Sequence, residues 1–199
     1  MCLLIESIKL KDGKFYHLDL HQNRMNYSIK KLCKIKSQLL LEQILQAKNY
    51  SAKGLYKCRI VYKNEIEEIE FTSYKKKEIL TVRLIEKEDI TYSYKYLDRS
   101  FFVAINEQFP GYDEYIITKK GFITDATYAN VIFWNGREWH TSNTPLLKGI
   151  QREYLLSNGL IKEKQITIHD LSYYSKFALI NAMMDMEDKI ELSIDQLII

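Results

Sequence analysis

Apolar and polar residues alternate from Cys2 to Leu10, the period-two pattern of a strand with one face turned inward. Lys11-Asp12-Gly13 interrupts the pattern and Phe15 to Leu20 resumes it; Asp-Gly between two such runs predicts a hairpin. From about His21 to Lys36 the period changes. Met25, Ile29, Leu32 and Cys33 recur at helical spacing, which predicts a helix, and Leu39 to Ala47 predicts a second. Three runs rich in β-branched and aromatic residues follow, Leu55 to Tyr62, Ile66 to Tyr74 and Ile79 to Ile85, each read as a strand. The opening half is therefore expected to be two helices packed on an antiparallel sheet.

The charged run Glu86-Lys87-Glu88-Asp89 marks the expected boundary, giving domains 1–88 and 89–199. Beyond it Tyr96 to Phe109 reads as a helix ended by Pro110-Gly111. Short strands follow, broken at Lys120-Gly121, Asn135-Gly136 and Asn143-Thr144-Pro145. One more helix, Ile150 to Ser157, lies between Gly149 and Asn158-Gly159. The expected class is α+β in two domains, a small sandwich of helices and sheet followed by a larger, mostly β domain.

Composition narrows the function classes. A chain that is 46% hydrophobic and 28% charged has an ordinary core and is neither disordered nor collagenous. Its longest apolar runs, such as Phe101 to Ile105, are too short to cross a bilayer. The first residues carry no basic stretch ahead of an apolar one, so a cytoplasmic protein without a membrane partner is expected. Cys2, Cys33 and Cys58 and the four histidines show no metal-ligand spacing, so neither a metal site nor a disulfide framework is expected. Charge is uneven: residues 1–63 hold 13 Lys and Arg against 4 Asp and Glu, a balance of +9, while 64–199 hold 16 against 22, or −6. No nucleic-acid motif accompanies the basic half. Lys30, Lys31, Lys34 and Lys36 read as the wet face of a helix, and the remaining charge suits an anionic small molecule.

Four segments in fixed order carry more specific chemistry. They are Ile5-Glu6-Ser7-Ile8 with Asp12-Gly13; His21-Gln22-Asn23-Arg24; Lys95-Tyr96-Leu97-Asp98-Arg99; and a long stretch from Gly111-Tyr112-Asp113-Glu114 to Gly149-Ile150-Gln151-Arg152. The last includes Ile123-Thr124-Asp125 and Ala129-Asn130-Val131-Ile132-Phe133. Together they resemble the class IV aminotransferases, the fold-type IV pyridoxal-phosphate enzymes, over nearly the whole chain. The resemblance implies a D-amino-acid-aminotransferase-like fold, pyridoxal 5'-phosphate as cofactor, a small-molecule amine as substrate and a homodimer.

It also assigns roles to residues. Lys95 matches the lysine that binds the cofactor's aldehyde and then serves as a base. Asp125 matches the acid beside the pyridine nitrogen, where the family commonly has glutamate. Arg24 matches the arginine on the phosphate, and Asn181 a further phosphate-contacting position. Gly149, Ile150 and Gln151 match the helix start whose backbone N–H groups cradle the phosphate; Gln151 stands where a threonine or serine is usual. Arg99, Arg59 and Ser7 are the residues expected to meet the substrate. Arg99 and the pair Asn181-Ala182 resemble the aminodeoxychorismate lyase version of the family, which makes p-aminobenzoate and pyruvate for folate synthesis. A branched-chain or D-amino-acid transaminase is the enzymatic alternative. The non-enzymatic one is a shortened relative used as a binding module, because the chain starts almost at Ile5-Glu6-Ser7, where family members usually carry an earlier segment. Retention of Lys95, Arg24 and an acid at position 125 together argues for the enzyme.

Overall fold

The computed structural model describes residues 2–199 and divides into two compact units. The first comprises residues 2–76 and Tyr94–Asp98, the second Lys77–Ser93 and Arg99–Ile199.

In the first unit, β1 (Leu4–Lys11) turns at Asp12-Gly13, both with positive φ, into the two-residue β2 (Lys14–Phe15). That is the primed hairpin turn that Asp-Gly favours. The expected strand to Leu20 stops early, because His17 adopts φ 53° and α1 (Leu18–Cys33) begins at once. Helix α1 buries His21, Met25, Ser28 and Ile29, one stripe at helical spacing, and leaves Lys30, Lys31 and Lys34 in solvent. Left-handed Lys34 ends it three residues before the expected Lys36. Helix α2 (Leu41–Gln46), β3 (Leu55–Tyr62) and β4 (Ile66–Ser73) complete the unit. Its sheet has the order β2-β1-β3-β4, all antiparallel. Leu4 and Ile8 of β1 and Cys58, Ile60 and Tyr62 of β3 face α1 and α2 to form its core.

The second unit holds β5 (Val82–Glu86), α3 (Ser100–Gln108) and the strands β6 (Glu114–Lys119), β7 (Phe122–Ala126), β8 (Asn130–Trp134) and β9 (Trp139–Ser142). Helix α4 (Ile150–Ser157) follows, at the bounds its sequence predicts, then β10 (Lys162–Lys164), β11 (Lys176–Ile180), β12 (Ile190–Ser193) and β13 (Leu197–Ile198). Their sheet runs β10-β9-β8-β7-β6-β5-β13, with β11 bridging β8 and β12. Strand β5, expected with the first sheet, instead pairs in parallel with β6, Val82 opposite Glu114. A core of Val82, Ile116, Ile123, Phe133 and Phe177 lies beneath. The two units are the two α+β domains expected from the sequence, the second larger and mostly β.

The boundary differs from the expected 88/89. The chain enters the second unit at Lys77, because β5 belongs to that sheet, and returns to the first for Tyr94–Asp98. Residues 96–99, expected as the first turn of a helix, are not helical, and Tyr96 forms an isolated antiparallel bridge with Leu4. Ile5 N–H donates to the Lys95 carbonyl and Leu97 N–H to that of Leu3, both at 2.9 Å, so the segment extends the sheet beside β1. Helix α3 starts only after Arg99.

Candidate functional site

In the first unit the strand register decides which side chains share a face. Tyr96 pairs with Leu4, and Tyr94 and Tyr96 pack on the core side. Lys95 between them therefore lies on the opposite face, in register with Ile5. Ser7 and Lys9 follow on that face of β1. Their β3 partners are Arg59 opposite Ser7 and Lys57 opposite Lys9. Lys95, Ser7 and Arg59, picked out separately in the sequence, thus share one sheet face, with Lys9 and Lys57 added to it. Lys9 is 1% exposed and lies 5.1 Å from the centre of the Tyr16 ring. Arg59 reaches Glu68 at 3.2 Å, but Glu68 is 59% exposed, and such a pair contributes at most about 1 kcal/mol.

Arg24 belongs to the core side. Its Nε donates to Glu6 Oε1 at 2.9 Å and its Nη2 to Oε2 of the same carboxylate. His21 Nδ1 lies 2.6 Å from Glu6 Oε2. Burial opposes ionisation of Glu6, yet Arg24 and His21 outweigh it and hold the carboxyl at about 2. Burial lowers the pKa of His21; the charges of Arg24 and Lys95 lower it further, against the pull of Glu6. Glu6 thus takes the Nε/Nη2 edge of Arg24, and the Nη1 side is turned away from the carboxylate.

The second unit carries the acid. Asp125, on β7, is 5% exposed. Its Oδ1 accepts from Asn130 Nδ2 at 2.6 Å and its Oδ2 from the Leu147 N–H at 2.9 Å. Burial pushes its carboxyl up to about 6 against these donors and the more distant charge of Arg152. Asn130 Nδ2 also donates to the Leu147 carbonyl at 2.9 Å, tying β8 to the loop before α4. Gly149 closes on the same side chain: a Cβ there would lie 2.0 Å from Asn130 Oδ1. Gly149 is the N-cap of α4, so no N-cap side chain takes up the first N–H groups of that helix, at Ile150 and Gln151. Gln151 is buried, and its Oε1 has no partner. Asn181 Oδ1 accepts from the Met183 N–H at 2.9 Å. Arg99 donates from Nη2 to the Thr127 carbonyl at 2.5 Å, with its guanidinium 4.7 Å from the centre of the Phe102 ring.

These residues fit the cofactor that the sequence implies. A buried carboxylate whose ionisation is opposed by burial is stabilised by a pyridinium, and uncapped N–H groups at a helix start suit a phosphate. The acceptor Oε1 of Gln151 does not suit a phosphate, so at that residue the fit rests on the backbone. Among the described residues no group of three His, Cys, Asp or Glu could hold a metal ion, and no helix is long and apolar enough to cross a membrane.

Three structural partners carry no role in the sequence reading, although each lies inside a motif: Glu6, His21 and Asn130. The signal for Glu6 is a carboxylate in an inward position of an otherwise apolar strand, between Leu4 and Ile8.

Comparison with known proteins adds the following. Residues 3–187 match the model of the amino-transferase class IV family. An uncharacterised protein of Haemophilus influenzae is 35% identical over 182 residues, covering 90% of this chain and 97% of that protein. A candidate 4-amino-4-deoxychorismate lyase from Haemophilus somnus 129pt superposes with TM-score 0.84 at 32% identity, over 92% of this chain and 97% of its own. A candidate amino-acid aminotransferase from Mesorhizobium loti shares the fold, with TM-score 0.77 at 19% identity over 92% and 96% of the two chains.

Proposed function

Because this chain belongs to the class IV aminotransferases, we propose that it binds pyridoxal phosphate and acts as a 4-amino-4-deoxychorismate lyase, releasing p-aminobenzoate and pyruvate. The observation that carries this reading is the sheet face shared by Lys95, Ser7, Lys9, Lys57 and Arg59. It sets a lysine amine among three further cations, which suits an amine substrate with two carboxylates. Successive residues on one face of a strand are about 7 Å apart, so the cations span a small dianion. The likeness to the candidate lyase of Haemophilus somnus 129pt favours the same substrate.

Bound pyridoxal phosphate supplies an electron sink for the pair left when a proton leaves the amine-bearing carbon. Lys95 would hold the cofactor covalently, and its Nζ as a free amine would take that proton. Asp125, ionised, would keep the pyridine nitrogen of the bound cofactor protonated. Asn130 and the Leu147 N–H fix the two oxygens of Asp125 and so its plane. By the family resemblance the phosphate would be assigned to Arg24 of the first unit and to the N–H groups of Ile150 and Gln151 of the second, with Gly149 and Asn181 assigned to it as well. Arg59 and Ser7 orient a substrate carboxylate. The bond to the enolpyruvyl oxygen breaks as the ring becomes aromatic, and Lys95 returns the proton to the departing three-carbon fragment. Reactant and products balance with no oxidant.

The test is to mix the loaded protein with aminodeoxychorismate and assay both products. Equal amounts of p-aminobenzoate and pyruvate, abolished by Lys95→Ala, are expected. Conversion of amino acids to keto acids without p-aminobenzoate would move the assignment to a transaminase. A chain that takes up no pyridoxal phosphate would leave only the binding module.

A further inference from the structure

Glu6 is a fully buried carboxylate on the inward face of β1, between Leu4 and Ile8. A carboxylate there is retained only if other groups compensate its lost hydration. Those groups come from one helix. His21 and Arg24, three residues apart on α1, lie on one helix face and meet the same carboxylate from the same side. Tyr62 of β3 lies close by; burial raises the pKa of its phenol, and the Glu6 charge helps to raise it.

The geometry has a direction. Arg24 gives Glu6 its Nε–H and one N–H of Nη2, which fixes the guanidinium plane relative to β1 and turns the Nη1 end away from the carboxylate. His21 is bound to Glu6 through Nδ1, and its buried Nε2 has no partner, so Glu6 is the group this histidine serves. The Arg24 side chain is 14% exposed, so it reaches from this buried anchor toward solvent. An arginine side chain held this way has lost its rotamer freedom on folding and loses little more when it binds an anion.

We propose that Glu6, braced by His21, is a positioning residue that presents the Nη1 end of Arg24 to the cofactor's phosphate. The inference rests on the pyridoxal-phosphate reading, and it predicts a phosphate-specific effect. It is tested on the full chain by titrating pyridoxal phosphate and phosphate-free pyridoxal, each followed by its visible absorbance. Glu6→Gln is expected to weaken pyridoxal phosphate about tenfold and leave pyridoxal unchanged. In an Arg24→Ala background the same substitution is expected to add nothing, since Glu6 acts through that arginine. His21→Leu keeps the ion pair but removes the brace, and is expected to give a smaller loss with the same selectivity. It carries the test if Glu6→Gln does not fold. Equal weakening of both aldehydes would reduce Glu6 to a structural role and overturn the proposal, as would an undiminished effect in the Arg24→Ala background. A wild-type chain that binds pyridoxal phosphate, with both variants unaffected, overturns this inference alone. One that binds neither aldehyde overturns the cofactor reading with it.

Discussion

Two buried carboxylates respond to pH in opposite directions. Glu6 is held at about 2, below the ordinary 4.5, so its contribution to stability is complete above pH 4.5 and is lost as pH falls toward 2. Asp125 is pushed from 3.8 up to about 6, so its protonated form suits the fold. Its effect is a loss of stability as pH rises from about 4 through 6, on the order of 3 kcal/mol at 1.36 kcal/mol per unit. Between pH 4.5 and 6 the Asp125 slope stands without Glu6. In that window His21, whose pKa burial lowers, contributes a rise of stability with pH, so the Asp125 effect is read as a difference: in urea unfolding of cofactor-free protein, Asp125→Ala is expected to remove a contribution that falls with pH. An unchanged slope would mean that another group titrates there. Lys95, Arg24 and Asp125 could be singled out in the sequence because each sits in a motif of the family resemblance. The partners Glu6, His21 and Asn130 were not, because their roles consist of contacts between residues 5 to 18 positions apart.

At the scale of elements, α4 shows how a local signal and a distant contact combine. Its bounds follow from the flanking Gly149 and Asn158-Gly159. The need for glycine at 149 comes from elsewhere: not backbone strain, since φ is −75°, but Asn130, whose Oδ1 would meet a Cβ at 2.0 Å. Gly149→Ala should displace Asn130, loosen its hold on Asp125 and cost about 1–3 kcal/mol. Shortening the obstacle with Asn130→Ala in the same chain should recover part of that loss. Strict additivity of the two substitutions in urea unfolding would show that the close approach is not the cause. The hairpin at Asp12-Gly13 and helix α1 were equally open to sequence reading. Residues 96–99 were not. Their apolar spacing suits a helix, but their backbone bonds to Leu3 and Ile5, some 90 residues away, outweigh that preference.

For the whole molecule, the separate cores of the two units imply separate responses to damage. Ile8 is fully buried in the first and Phe133 in the second. Truncating either to alanine should cost about 3–5 kcal/mol. Amide exchange should locate the loss: Ile8→Ala is expected to speed exchange in 2–76 and also in Tyr94–Asp98, where Leu97 N–H is bonded to β1. Exchange at Leu97 that follows Phe133→Ala instead would place the lysine segment with the other core. That assignment could not be read from the charged run at Glu86–Asp89, because a run of solvated side chains marks a surface and does not say which sheet the next backbone will join.

The return of Tyr94–Asp98 to the first sheet also matters while the chain is being made. Synthesis is vectorial, and the edge of β1 at Leu3–Ile5 leaves the ribosome about ninety residues before the segment that covers it. Until then that edge offers unpaired N–H and C=O groups to any extended strand nearby. Closure is a contact of high sequence separation and therefore slow. The nascent protein thus brings the Lys95 segment into place and covers that edge in a single step, and no cut at one point of the gene can give either unit alone in complete form.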